Sequence, residues 1–318
     1  MIPFIVRRLL ISVVVLCGIS IALFGLLKLM PGDPAEMMLD PLSFQGDRAA
    51  ALGRLRAELG LDKAIPVQYV SWMGELLHGN LGFSYTDGRP VGQIIVGRLG
   101  TTALLMGSAL LIALVVGIPV GIIAALRRNT WVDYSTTFVS LLAISVPSFF
   151  LGLVGIYVLG IKLRWFPVGG LHSTGASGLG DLLYHLALPA AILGFALAGP
   201  YVRYARASML EVLGQDYLTT ARSKGLTARQ TIRRHGLPNA LIPLITVIAI
   251  QIPILLGGAV VIEQIFALPG LGTLVLDAIQ SRNYPIVLAF VMVVAVLVLL
   301  CNLIADVAYA VIDPRIRV

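Results

Sequence analysis

Few residues in this 318-residue chain are of types that do covalent chemistry. Four histidines, His78, His172, His185 and His235, and two cysteines, Cys17 and Cys301, make up the stock of bases and thiols. Gly175-Ala176-Ser177-Gly178 fits the G-x-S-G pattern of an intramembrane serine protease, in which a hydroxyl is activated by an adjacent base. Yet Ser177 lies in a polar stretch, and no histidine falls in the sixth apolar run, where that enzyme class keeps its base. His185 reaches Ser177 only by local folding, and reads more simply as a packed histidine at an interface. Cys17 and Cys301 stand in the middle of apolar runs and read as small buried hydrophobes, so no metal ligand set emerges. No Gly-Lys-Ser or Gly-Lys-Thr occurs, so the chain lacks a phosphate-cradling loop of the Walker A type.

The elements that position these residues are apolar. Hydrophobic residues make up 58% of the chain and charged ones 12%, with a mean hydropathy of +0.93, which excludes water-soluble enzymes and disordered tails. Six uncharged runs, Leu9–Leu27, Leu99–Leu126, Tyr134–Ile161, Leu182–Val202, His235–Ile262 and Asn283–Ala305, are 19 to 28 residues long. Each can cross a hydrocarbon core of roughly 30 Å as a helix. The expected fold is therefore an all-α membrane protein with six transmembrane helices. Six spans leave both termini on one side, where 60 residues carry 13 Lys or Arg, against 10 in the 111 residues of the other side. The positive-inside rule puts both termini in the cytoplasm, so the net charge of +7 reports topology and implies no nucleic acid. Arg7-Arg8 ahead of the first run reads as a retained signal anchor. Polar or helix-bending residues inside the runs, Ser145 and Pro147, Gln251 and Pro253, and Asn302, are the candidates for a translocation path, since buried polar groups face a cavity or another helix. For Gln251 and Asn302, hydrogen bonding to a neighbouring helix is an equally good reading. Gly257-Gly258-Ala259 reads as a close helix contact, and the absence of charge within the runs argues against a proton relay or voltage sensor.

Between the runs, the external segment 28–98 is too long for a connector. It opens with Pro31-Gly32-Asp33-Pro34, holds a short helix over 47–59, and turns at Asn80-Leu81-Gly82 and Asp87-Gly88-Arg89-Pro90. The segment 263–282 contains Pro269-Gly270-Leu271-Gly272 and then a short helical pattern. The cytoplasmic segment 203–234 is the informative one, because joining two spans needs far fewer than its 32 residues. Leu210, Leu213, Tyr217 and Ala221 fall on one helical face; Gly225, after Arg222 and Lys224, supplies a helix stop; Thr227 with Gln230 forms a capping-box signature. A helix, a tight Gly225-Leu226 turn and a second helix are expected there, with a basic outer face. A surface helix held by anionic lipid would satisfy the same periodicity.

Thr219-Thr220-Ala221, three residues, Gly225, nine residues and His235-Gly236-Leu237-Pro238 resemble the E-A-A, three, G, nine, I-x-L-P signature of membrane subunits of bacterial ATP-binding-cassette (ABC) importers. Thr219, Thr220 and His235 depart from it. Within that family the chain resembles the first permease of dipeptide and oligopeptide systems. The likeness includes Pro31-Gly32-Asp33-Pro34, Gln68-Tyr69, Leu81-Gly82-Phe83-Ser84, Ser145 to Phe149, Glu263 to Phe266 with Pro269 to Gly272, Asn283-Tyr284-Pro285, and the tail from Asn302 through Asp306 and Tyr309 to Asp313-Pro314-Arg315-Ile316-Arg317. The resemblance implies the type I importer permease fold, with an anchor span and external loop over 1–98, a transmembrane core over 99–305 containing a coupling element at 203–238, and a cytoplasmic tail at 306–318. It implies a multi-pass protein of the bacterial inner membrane that moves di- or oligopeptides. A second homologous permease, two ABC ATPases and an external substrate-binding protein are the implied partners, and the ATPases use the ATP and magnesium, with no cofactor on this chain. The residues carried over to ATPase coupling are Thr219, Thr220, Ala221, Arg222, Gly225, Leu226, His235, Leu237 and Pro238. Ala221 would allow close approach, Gly225 would fix the turn, and Leu237 and Pro238 would join the element to the fifth span. Of the rival functions, a stand-alone channel or secondary transporter leaves the 203–234 element without a purpose, and the intramembrane protease lacks a base in the sixth run.

Overall fold

A computed structural model of the chain describes residues 2–29, 35–36, 47–58, 60–176 and 178–312, with side chains from 5 to 307. Among them no strand forms, and the one β-bridge joins Phe83 to Pro90. In chain order the helices are α1 (Ile2–Leu29), α2 (Arg48–Glu58), α3 (Ile65–Leu77), α4 (Val91–Leu126), α5 (Trp131–Ser145) and α6 (Ser148–Gly155). They continue with α7 (Leu179–Leu213), α8 (Asp216–Ser223), α9 (Ala228–Thr231), α10 (Leu237–Ile265), α11 (Leu271–Gln280) and α12 (Tyr284–Ile312). Wide π-type turns extend α6 through Ile156–Lys162 and carry α9 into α10 through Ile232–Gly236.

Five helices are continuous, long and apolar enough to cross a bilayer: Ile5–Leu29, Val91–Leu126, Leu179–Leu213, Ala228–Ile265 and Tyr284–Val307. The third expected span, Tyr134–Ile161, is not one rod. It is α5 and α6, bent by 98° at Val146-Pro147. A residue before proline is driven out of the helical region by the pyrrolidine ring, and Val146 accordingly sits at φ −87°, ψ 121°.

The larger compact body is built around 100–273. Its central helix is α7, against which α5 and α10 pack. Leu193, Leu197 and Tyr201 of α7 are buried with Leu105, Ala109 and Ala113 of α4 and Leu255, Ala259 and Ile262 of α10. Glycine brings α4 and α7 together: a Cβ on Gly121 would lie 2.4 Å from the Val202 carbonyl oxygen, and one on Gly117 3.1 Å from that of Ala198. Small residues serve this purpose in membrane helices, where dispersion contacts replace hydrophobic driving force. Gly258 does the same against Leu193, while Gly257 meets open space. The outer faces, such as Leu111 and Val115 of α4, remain apolar and exposed, as lipid contact requires.

The smaller body combines Arg7–Leu99 with Leu274–Leu297. Phe24 of α1 lies 5.5 Å from the Tyr69 ring and 5.7 Å from the Trp72 ring of α3, and the Ser20 and Tyr69 hydroxyls are 2.8 Å apart. The Lys28 ammonium donates to the Gln68 amide oxygen. The expected helix over 47–59 is present as α2, with Asp47 accepting from the Ala49 and Ala50 amides. Both expected turns form, with Gly82 and Gly88 at φ +81° and +66°. Asn283 holds them: its Nδ2 donates to Ser84 Oγ at 2.8 Å and Thr86 Oγ1 at 3.1 Å, and its Oδ1 accepts from the Tyr85 amide at 3.2 Å. That network gives the Leu81-Gly82-Phe83-Ser84 and Asn283-Tyr284-Pro285 blocks one shared purpose. The Ser84 hydroxyl does most to hold the Asp87 carboxyl below the usual carboxylate range; burial opposes it, and Arg89 adds smaller pulls downward. Pro31-Gly32-Asp33-Pro34, Ser177 and the tail 313–318 lie outside the described residues.

Candidate functional site

The segment between the fourth and fifth spans folds as a helix, a glycine turn and a helix. α7 ends at Gly214, and Gln215 is extended at φ −83°, ψ 139°, so α8 starts afresh at Asp216. The single face expected from Leu210 to Ala221 is thus split between two helices, because Gly214 and an extended residue interrupt the 3.6-residue period. α8 buries Leu218 and Ala221 and leaves Tyr217 40% exposed. Leu218 joins Met209 and Val212 of α7, Ala125 of α4 and Ala240 of α10 in a small core beneath the element.

Gly225 sits at φ +90°, where only glycine is unstrained, and donates to the Arg222 carbonyl at 2.9 Å. Thr227 then caps the next helix: its Oγ1 accepts from the Gln230 amide at 3.3 Å, and the Gln230 side chain accepts from the Thr227 amide at 3.0 Å. Beyond α9 the chain runs through the wide turn into α10 as one apolar rod, Ala228–Ile265. The Ser208 hydroxyl of α7 donates to the Ala240 carbonyl of α10 at 2.8 Å, clamping the two spans next to the element. Thr219, Thr220, Arg222, Gly225, His235 and Pro238 face outward, Leu226 and Leu237 are half-buried, and Ala221 is covered by its own chain. Arg222, Lys224, Arg229, Arg233, Arg234 and His235 supply the basic outer face. Ala221 is buried under its own chain, at 7% exposure.

Of the candidate path residues, Gln251 alone is buried, at 8% exposure, and it lines a cavity of about 610 Å³ among α5, α7 and α10. Ser145, Pro147, Pro253 and Asn302 are exposed, and the cavity wall does not include them. Ser145 and Pro147 make the bend between α5 and α6.

Two polar networks escape sequence reasoning. Asp133 of α5, 2% exposed, takes both prongs of Arg206 from α7, Nε to Oδ1 at 2.6 Å and Nη2 to Oδ2 at 2.9 Å, and also the Asn129 amide at 3.0 Å. Glu263 is fully buried at the end of α10. It accepts from Thr102 Oγ1 at 2.5 Å, the Gly272 amide at 2.7 Å and the Thr273 amide at 3.3 Å, and the Leu271 amide donates to Thr102 Oγ1 at 2.8 Å. A carboxylate here caps the N-terminus of α11. Glycines follow from it, since a Cβ on Gly270 would stand 2.1 Å from the Glu263 carboxyl carbon. The uncharged runs end at charged residues by definition, so Glu263 falls outside the fifth run although α10 carries it; its spacing from Gly270 and Gly272 is the signal for this contact.

Histidine chemistry is arranged for structure. His185 Nδ1 lies 2.9 Å from the Gly170 carbonyl and its Nε2 3.1 Å from Ser173 Oγ, while Asp181 accepts from the Ser173 hydroxyl at 2.8 Å and contacts His172 at 3.0 Å. The Ser173 hydroxyl spends its hydrogen on the Asp181 carboxylate instead of on His185, so no imidazole is placed to take its proton as a triad requires.

Residues 117–318 match the family described as binding-protein-dependent transport system inner membrane component, and residues 1–106 match the N-terminal model of that membrane component. The chain belongs to this transport family. The oligopeptide transport system permease protein AppB of Bacillus subtilis is 42% identical over 319 residues, covering 100% of both chains. The dipeptide transport system permease protein DppB of Escherichia coli K12 is 38% identical over 339 residues, covering 100% of this chain and 99% of its own. Among solved structures, inward-facing MetNI methionine ABC transporter superposes with a TM-score of 0.55 at 18% identity, covering 70% of this chain and 97% of that one. The fold is that of the type I ABC importer permease, and this chain is a multi-pass membrane component of a transport system, without support for a channel or a protease.

Proposed function

We propose that this permease imports di- or oligopeptides across the bacterial inner membrane as one half of a pore completed by a second homologous permease, with both termini in the cytoplasm. Two ABC ATPases hydrolyse the magnesium-bound ATP, for which this chain has no phosphate loop, and an external binding protein delivers the cargo. The named relatives support the peptide cargo. In this reading residues 1–98 anchor and receive the binding protein, 99–305 form the translocating core and 306–318 a cytoplasmic tail. Thr219 to Pro238 is the coupling element, with Thr219, Thr220, Arg222, Leu226 and His235 on its working surface and Leu237 and Pro238 leading into the fifth span. Ser145, Pro147, Pro253 and Asn302 remain proposals for the path beside Gln251.

The observation that carries the coupling role is the left-handed Gly225 turn between two helices, the second continuous with a membrane span. Nothing lies within 4 Å of a Cβ built there, so a side chain is strained by φ alone, by roughly 1–2 kcal/mol. The open space is where an ATPase would sit. Gly225→Asp therefore leaves membrane insertion intact and abolishes peptide uptake and copurification of the ATPases. Normal uptake by this variant would overturn the assignment.

A further inference from the structure

The cavity of about 610 Å³ among α5, α7 and α10 is lined by Gln251 and Arg203, whose side chains have no hydrogen-bond or ion-pair partner among the described residues. Gln251 is more than nine-tenths buried and lines the cavity, yet its amide makes no hydrogen bond there. Arg203 lines the same cavity and forms no ion pair, in contrast to Arg206 one turn on, whose charge is spent on Asp133. The Gln251 amide lines the groove, so its hydrogen bonds must come from whatever fills that space, water or a ligand. Apart from Thr137 and Arg206, the remaining wall is apolar or aromatic, with Ile144, Tyr204, Ile250 and Ile254 among it.

We infer that this groove is a cargo subsite in which Arg203 reads the C-terminal carboxylate of a peptide in transit and Gln251 bonds its last peptide group. Charge argues for the occupant: one free guanidinium, matched in shape to a carboxylate, stands beside an unpaired amide and an apolar wall that suits side chains of any kind. The volume falls within the usual range for a small ligand. Its position argues for transit: two of its three walls, α7 and α10, are the helices that lead into and out of the 216–236 element, so motion of that element alters the groove's width. The inference rests on the peptide-import reading above.

The test uses the assembled transporter in proteoliposomes, with Cys17 and Cys301 replaced by Ala and Ala207→Cys placed on the groove wall. Maleimide labelling of that cysteine is followed with trialanine or trialanine amide. Trialanine slows labelling and the amide does not; adding Arg203→Gln raises the trialanine needed for equal protection roughly tenfold, and Arg203→Lys restores part of it. Equal protection by both peptides, or protection indifferent to Arg203, overturns the assignment. So does a cysteine that stays unlabelled with or without peptide, which marks a permease interface, or labelling that follows anionic lipid content alone. Uptake of trialanine by the parent chain in the same vesicles separates the two readings: without uptake the import reading falls, whereas uptake without carboxylate-dependent protection removes only the subsite.

Discussion

Replacing Glu263 tests whether a buried charge at the end of a span is there to hold α11. Three donors converge on its carboxylate, the Thr102 hydroxyl at 2.5 Å and the Gly272 and Thr273 amides at 2.7 and 3.3 Å. The Thr102 hydroxyl also accepts from the Leu271 amide at 2.8 Å, so its hydrogen is committed to the carboxylate. Glu263→Ala leaves all three donors unpaired in a buried site. With charged hydrogen bonds at about 1.5–3 kcal/mol each and imperfect additivity, the loss comes to about 4 kcal/mol. Glu263→Gln keeps one oxygen for the two amides but turns an NH2 toward Thr102, whose oxygen already has a donor; the loss is about 1–2 kcal/mol. At roughly 2–4 °C per kcal/mol for a body of this size, unfolding in mild detergent shifts down by about 8–16 °C for Ala and about 2–8 °C for Gln. Exposed Gln264→Ala, the adjacent control, stays within about 2 °C. Equal shifts for the two Glu263 variants, or a shift for Glu263→Ala no larger than the control, would refute the capping argument.

Gly121→Val places its Cβ 2.4 Å from the Val202 carbonyl, so α4 and α7 are forced apart and the yield of folded, monodisperse protein in detergent collapses; normal yield would remove glycine from the packing argument. Asp133→Ala destabilises by about 2–3 kcal/mol because Arg206, only 30% exposed, loses both its prongs; a double-mutant cycle with Arg206→Met read by thermal unfolding gives a coupling of at least about 1 kcal/mol. Pro200→Ala restores a missing backbone donor inside α7, so unfolding temperature holds or rises while the uptake rate falls severalfold; unchanged uptake would show that α7 need not bend there.

What the sequence reveals about this chain is local. Five of the six apolar runs, the Gly225 turn and the Thr227–Gln230 capping box depend on residues within a few positions of one another, and each is found where its pattern stands. The break at Gly214-Gln215 is also local, but helical periodicity continued across it and masked the interruption. The bend at Pro147 had a visible cause, yet proline inside a membrane helix is commonly tolerated, so the ring alone does not announce a 98° turn. Long-range partners stayed hidden. Thr102 is 161 residues from Glu263, Asp133 is 73 from Arg206, and Ser84 is 199 from Asn283, and no residue type at either end names the other. The α3 helix in the 28–98 segment escaped for another reason: its polar residues, Gln68, Tyr69 and Trp72, look like loop until α1 supplies the face they cover.

The distribution of stiffness in the larger body bears on how a push at one end becomes a wider path. Around the 216–236 element the chain is tied down: a capping box, the Leu218 core and the Ser208–Ala240 bond join α7 to α10 so that their ends move as one. Farther into both spans, the helical ladder lacks donors at Pro189 and Pro200 of α7 and at Pro243 and Pro253 of α10. A helix yields where its i to i−4 bonds are missing, so displacement of a clamped end is taken up as bending at these prolines rather than as rigid translation of the spans. Pro200 lines the groove itself, and Pro253 stands two residues from Gln251. Two of the four joints, Pro200 and Pro253, therefore fall beside Arg203 and Gln251, so bending there changes the separation of these two side chains across the groove.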